Sequence, residues 1–423
     1  MRVASMRRTV AIGVLAAIAA GCGSSTTARP DTGAEDGVDA GADDAAPATD
    51  PPAMTGLAVV NSDFSTTSLS ILDATGALVH PDCVDSATGA SGSVTKTISG
   101  DAVLPSQPQL GGQVVVIDRG NGALTFVDPQ SCTIFRQILV PGVRTNPHDV
   151  VMLSPRKAYV TRYDHNLAAT DPNLAGNDIA VIDPTSGAQR GRISLDAYAS
   201  SVAGATILAR PDRALLVEGK VIVSLDEIDQ GFATYGEGRV VVIDPATDTV
   251  TAALALTGLA NCEGMTYVEA QQTLLVACGG PYAGSTAQSG IAVVDLGPSP
   301  PTLVRVIPSA AFDGRPLDMG WVLALPPAAG GTRAFAVTND PNDVEPDALF
   351  AFDYVAGTAT RFATSDPYTL GRAAGLPGLL LMPNATRTTP RIDLYDVTAA
   401  PTATTSFTSD PVTNLPPQEI APY

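Results

Sequence analysis

The chain has 423 residues, of which 24 are basic and 43 acidic, giving a net charge of −19 at pH 7 with only 5% aromatic side chains. Such a surface repels nucleic-acid phosphates and anionic headgroups, which excludes nucleic acid as a partner. The length exceeds that of a single-core domain, so two domains or a repeat architecture are expected.

Residues 1–21 place Arg2, Arg7 and Arg8 ahead of an apolar run from Val10 to Ala20. The run is too short to span a hydrocarbon layer of ~30 Å and suits the apolar region of a secretory signal. It ends in Ala19-Ala20-Gly21-Cys22, which resembles the lipobox of bacterial lipoproteins. The resemblance implies cleavage before Cys22 and acyl chains on that cysteine, so that the lipid is the link to a membrane. Gly23 rather than an aspartate follows, which points to the outer membrane, facing the periplasm or the cell surface. Residues 22–54 form a linker rich in Ala, Gly, Asp and Pro, with acids at 31, 35, 36, 39, 43, 44 and 50 against Arg29 alone. It cannot bury enough apolar area to offset ordering costs of ~1–2 kcal/mol per residue, and is expected to be a disordered, self-repelling tether.

Residues 55–423 carry a repeat of two or three apolar residues followed by aspartate. It ends at Asp73, Asp128, Asp183, Asp244, Asp295, Asp353 and Asp396. Short strands recurring at a period near ~50 residues mark a β-propeller. The clearest unit, from Asn146 to Leu195, reads as four strands with a turn at Pro184-Thr-Ser-Gly187. At the start, Leu57-Ala-Val-Val60 matches a second strand with no first strand before it, and Leu415–Tyr423 matches a first strand. The expected fold is all-β: a seven-bladed β-propeller of four-stranded antiparallel blades, closed by the C-terminal strand joining the first blade.

The unit around Ala158-Tyr159-Val160-Thr161 and the later Ala336-Val337-Thr338-Asn339, with the IDPTSG and IDPATD turns, resembles the YVTN family of seven-bladed propellers. The resemblance covers roughly residues 55–423, and copies two, five and six depart from it. It implies architecture and not activity.

Besides Cys22 the chain has Cys83, Cys132, Cys262 and Cys278, an even number in an exported protein. Cys262 opens one strand and Cys278 ends the next, so they should face each other across a hairpin. Cys132 lies in a bend between third and fourth strands. Cys83 is placed in an insertion (74–91) at the same bend of the first blade, which makes a Cys83–Cys132 bridge plausible. The alternative is four buried thiols.

Ionisable residues at the starts of the first strands should gather at one mouth of the channel: His148, Asp149, Glu263, Asp318 and Glu419. His148 with Asp149 or Glu263 could be an acid–base pair for lactone or ester hydrolysis, and Asp318 belongs to the same candidate set. The acidic loop NDPNDVEPD offers Asp340, Asp343, Glu345 and Asp347 as oxygen ligands of a kind Ca²⁺ takes, without the glycine or terminal glutamate of an EF-hand. A solvated acidic loop is the plainer reading, and no other cofactor is expected. Only His80, His148 and His165 exist, and there is no GxSxG, HExxH, P-loop or GxGxxG signature. Trp321 is the single tryptophan, which argues against quinoprotein propellers built on a repeated Trp motif. Two functions remain: a monomeric, membrane-tethered binding scaffold that presents its loop-rich face to an envelope or extracellular protein or small ligand, or a hydrolase at the channel mouth, with a Ca²⁺-dependent variant.

Overall fold

The computed structural model describes residues 47–88, 94–198, 200–282, 286–318, 320–325, 331–339 and 344–423. Cys22, most of the linker, Asp340 and Asp343 lie outside the described residues. Residues 45–423 make one compact unit. No helix among the described residues is long and apolar enough to cross a membrane.

The unit is a β-propeller fold of four-stranded antiparallel sheets. The first sheet orders the C-terminal strand Pro417–Pro422, Gly56–Ser62, Thr67–Asp73 and Leu78–Asp85. The second runs Ala102–Val103, Val114–Asp118, Ala123–Asp128, Thr133–Leu139, and the third Pro147–Ser154, Lys157–His165, Gly176–Ile182, Gln189–Ser194. The fourth is Pro211–Val217, Lys220–Leu225, Arg239–Asp244, Thr249–Ala255, and the fifth Cys262–Val268, Thr273–Cys278, Gly290–Asp295, Thr302–Pro308. The sixth is Leu323–Ala324, Arg333–Thr338, Asp347–Asp353, Thr358–Ser365, and the seventh Ala374–Leu376, Leu379–Asn384, Arg391–Asp396, Thr402–Phe407.

Middle strands such as Val221–Leu225 are continuously buried because both faces pack against neighbouring sheets, whereas the outermost Thr402–Phe407 is largely exposed and rich in threonine. In every one of these sheets the pairing of the third strand with the fourth contains a register shift. A bulge there adds twist and breaks up the exposed edge. The apolar core lies between sheets rather than at the centre. One cluster joins Val151, Ile179 and Val181 of the third sheet to Leu216, Val223 and Val241 of the fourth. Another joins Leu381 and Ile392 of the seventh to Leu57, Val59 and Ile420 of the first.

The repeated aspartate has a local cause. At all seven positions its Oδ1 accepts the backbone N–H two residues on, at 2.8–3.0 Å. This closes an Asx turn where the third strand must reverse. Hydrogen bonding holds the Asp73, Asp128, Asp244 and Asp396 carboxylates below their ordinary range.

Both expected disulfides are present, Cys83–Cys132 with Cα atoms 4.9 Å apart and Cys262–Cys278 at 4.0 Å. Two details differ from the sequence reading. Cys83 lies inside the fourth strand of the first sheet, not in an insertion, because the polar stretch Leu78–Asp85 still pairs with Thr67–Asp73. The described end of the expected linker, from residue 48 on, also packs on the body. Ala48 N–H donates to Leu153 O at 2.7 Å, Gly219 N–H to Thr49 O at 2.6 Å and Thr55 N–H to Tyr423 O at 2.7 Å, so residues 48–55 strap onto the body. A small three-stranded sheet (Ser200–Val202, Ala205–Leu208, Ile228–Asp229) was not foreseen; it pairs the segment between the third and fourth sheets with the loop that follows Lys220–Leu225.

Candidate functional site

The site is built where inner strands of three neighbouring sheets begin. Pro147–Ser154 brings His148 there, Pro211–Val217 brings Asp212, and Cys262–Val268 brings Glu263. Asp226 follows directly on the strand Lys220–Leu225. Asp212, Asp226 and Glu263 each offer a carboxylate oxygen, and the three oxygens lie within 4.8 Å of one another. Asp212 and Asp226 are fully buried.

The surroundings orient this cluster. His148 Nδ1 lies 2.5 Å from Asp212 Oδ2, and its ring stacks on Tyr163 at 4.2 Å with the planes 4° apart. The Tyr163 hydroxyl donates to Asp226 Oδ2 at 2.8 Å. Arg213 Nε is 3.2 Å from Asp212 Oδ1. Burial and the neighbouring Glu263 and Asp212 hold the Asp226 carboxyl well above the usual range, and burial with Asp212 does the same to Glu263. Burial also opposes the charge on Asp212, but His148 and Arg213 outweigh it and bring this group down to about 2. One carboxylate is thus stabilised as an anion between two that resist ionisation.

In a cavity lined also by Leu216, Gly264 and Trp321, Arg372 Nη1 lies 2.5 Å from Glu419 Oε1 and its Nη2 donates to Ser106 Oγ at 3.1 Å. Above the carboxylates, Phe232 and Tyr282 stay 41% and 44% exposed with ring centroids 6.4 Å apart. The Arg210 guanidinium lies 4.0 Å over the Phe232 ring while its Nη1 pairs with Asp164 at 2.7 Å. A run of rings therefore leads from His148 and Tyr163, which hold the acids, to the exposed Phe232 and Tyr282.

The candidates read from sequence separate into distinct roles. His148 and Glu263 do converge, but through Asp212 and Asp226, which the sequence reading missed. Asp149 is not the partner of His148. It is fully buried, and its oxygens accept Ser106 N–H (3.1 Å), Ser106 Oγ–H (2.6 Å), Val150 N–H (2.8 Å) and Ala214 N–H (2.9 Å), which makes it a clamp between sheets. Asp318 accepts Gly320 N–H at 2.8 Å, and burial pushes its carboxyl up to about 6. Glu419 is committed to Arg372. In the acidic loop, Asp347 is consumed by the N–H groups of Tyr368, Thr369 and Leu370, and Glu345 lies 3.6 Å from Arg315. That half of the loop presents no cation shell. A signal for Asp212 existed: Pro211-Asp-Arg213 repeats the Pro147-His-Asp149 pattern at the start of an inner strand. Asp226 carried none, since its role depends on the neighbouring sheet.

Among solved structures the chain is similar to β-propeller-like proteins. A 6-phosphogluconolactonase candidate from Bacteroides uniformis ATCC 8492 matches with a TM-score of 0.52 at 12% identity, covering 87% of this chain and 100% of that one. A second such candidate, from Bacteroides fragilis NCTC 9343, matches at 0.50 with 10% identity over 87% and 98%. KlAtg21, solved with the coiled-coil of AgAtg16, matches at 0.50 with 12% identity over 84% and 95%. No protein-family model and no curated protein matches the sequence. Identities this low speak for the fold alone, and that fold serves unlike functions in these neighbours.

Proposed function

We propose that this protein is a lipid-anchored binding propeller of the bacterial outer membrane, tethered through Cys22 and recognising a protein or small-molecule partner at its loop-rich mouth. The architecture proposed is a closed ring of seven blades, of the kind the YVTN-type resemblance implies. Seven four-stranded sheets, an apolar cluster joining the seventh to the first, and the pairing of Val59 with Ile420 support it. The observation that carries the functional reading is the convergence of Asp212, Asp226 and Glu263 beneath the exposed rings of Phe232 and Tyr282. A rigid frame that positions exposed aromatic anchors beside concentrated charge is suited to recognition. The test is capture of partners from the membrane fraction by the intact lipoprotein, with Phe232→Ala/Tyr282→Ala as comparison. Loss of the captured species in the variant is expected; equal recovery by both proteins would remove the mouth as the recognition face.

A second reading is a hydrolase of lactones or esters. It rests on the His148–Asp212 pair, in which a buried carboxylate orients an imidazole as in general-base catalysis. Turnover of a lactone and ester panel by the wild type, abolished in His148→Ala, would establish it; an inactive wild type would eliminate it.

A further inference from the structure

We propose that Asp212, Asp226 and Glu263 form a binding site for a hard divalent cation, calcium by size, which completes the recognition mouth; this rests on the binding reading above.

The first argument is comparison with the other buried carboxylates of the same molecule. Asp149 has four donors. Asp178 is gripped by Arg162 through two bonds of 2.7 Å and approached by Arg192 at 3.2 Å. Asp347 accepts three backbone N–H groups. Each of these has its compensation built in, as buried charge requires. Asp226 does not. It is 0% exposed, Tyr163 occupies only Oδ2, and Oδ1 has no hydrogen-bond partner. A fully buried carboxylate set beside two others, with one oxygen left without a donor, is short of one positive ligand.

The second argument is fit. Ca²⁺ binds oxygen at about 2.3–2.6 Å, so ligands on opposite sides of one ion lie up to ~5 Å apart. Three oxygens within 4.8 Å of one another can share one such ion with shifts of at most about a few tenths of an ångström. Mg²⁺ demands near-ideal octahedral geometry at about 2.0–2.1 Å and dehydrates reluctantly, so a cage of protein carboxylates suits it less well. The donors are all carboxylate oxygens, and all four described cysteines are in disulfides, so softer metals find no thiolate. The third is orientation: Tyr163 holds Asp226 and His148 holds Asp212, each through Oδ2. Such outer contacts fix the rotamers of ligating carboxylates. Among the described residues this is the one group of three acids so arranged.

The test uses the full chain in detergent, stripped with chelator and titrated calorimetrically with CaCl₂ and then MgCl₂, with terbium luminescence sensitised by Tyr163 and Tyr282 as a second readout. One calcium per chain is expected, with magnesium weaker, and with Asp226→Asn and Glu263→Gln each losing at least about tenfold in affinity. Asp347→Asn, outside the cluster, should bind as the wild type does. Absence of calcium binding and of terbium luminescence in the wild type overturns the proposal even if a variant misfolds, because that result needs no variant. Partner capture with and without calcium separates the two readings. Capture that persists in a protein unable to bind calcium overturns the cation and leaves the mouth as recognition face. Calcium binding without any capture supports the cation and defeats the recognition reading.

Discussion

Asp318 offers a direct test of how the channel is built. Its carboxyl sits at the inner end of the sixth sheet, where burial raises it from 3.8 to about 6 while the Gly320 N–H opposes the shift. Asp347 pushes in the same direction as burial, Arg213 opposes it, and Glu263 feels Asp318 in turn. The folded protein therefore holds this proton more tightly than the unfolded chain does. Below pH ~4 both states are protonated and the group is neutral in its effect. As pH rises through the window from about 4 to about 6, only the folded state keeps the proton, and stability falls; above about 6 the loss is complete. At 1.36 kcal/mol per unit, a shift from 3.8 to about 6 amounts to about 3 kcal/mol. Asp318→Asn removes the ionisation and keeps an oxygen to accept from Gly320. Urea unfolding of both proteins in chelator, at half-unit steps from pH 4 to 7.5, should show near-equal stability at pH 4 and a variant about 3 kcal/mol more stable at pH 7. A difference that stays flat across the range would mean that Asp318 is solvated, and the channel wall as described would be wrong.

Three further outcomes follow from the packing. Arg162→Met leaves Asp178 buried at 1% side-chain exposure beside Arg192 alone, and should cost about 3–5 kcal/mol, read as a fall in melting temperature, with most of it restored by adding Asp178→Asn. Replacing Cys83 and Cys132 by serine opens a loop of 49 residues and should cost about 4 kcal/mol, against about 3 for the 16-residue Cys262–Cys278 loop; equal denaturation midpoints in reduced and oxidised protein would contradict this. Deleting residues 416–423 removes one of the two partner strands of Gly56–Ser62 and takes Ile420 out of the cluster around Leu57, so the far-ultraviolet dichroism should show gross unfolding; an unchanged melting temperature would sink the proposed ring closure.

Much of the fold was legible because its determinants are local. An apolar run ending in aspartate specifies a buried strand and the Asx turn that stops it, and both are properties of about six consecutive residues. The hairpin disulfide was legible for the same reason, since Cys262 and Cys278 sit at opposite ends of adjacent strands. Cys83 was misplaced within its blade because its strand, Leu78–Asp85, mixes proline, histidine and aspartate with few apolar residues. An outermost strand is bounded by solvent on one side and needs no apolar signature.

The site divides along the same line. Sequence by itself indicated which chemical groups the inner strands carry at their starts, because strand starts follow from the repeat, and His148 and Glu263 are the second residues of two such strands. It could not determine which groups would touch. Asp149 and Asp212 both lie within the first three residues of an inner strand, yet four donors from Ser106, Val150 and Ala214 satisfy one, and the other faces Asp226 and Glu263. That assignment depends on the rotation between adjacent sheets and on which backbone N–H groups it leaves unpaired. Those quantities come into being only when sheets pack, so the tertiary structure decided them.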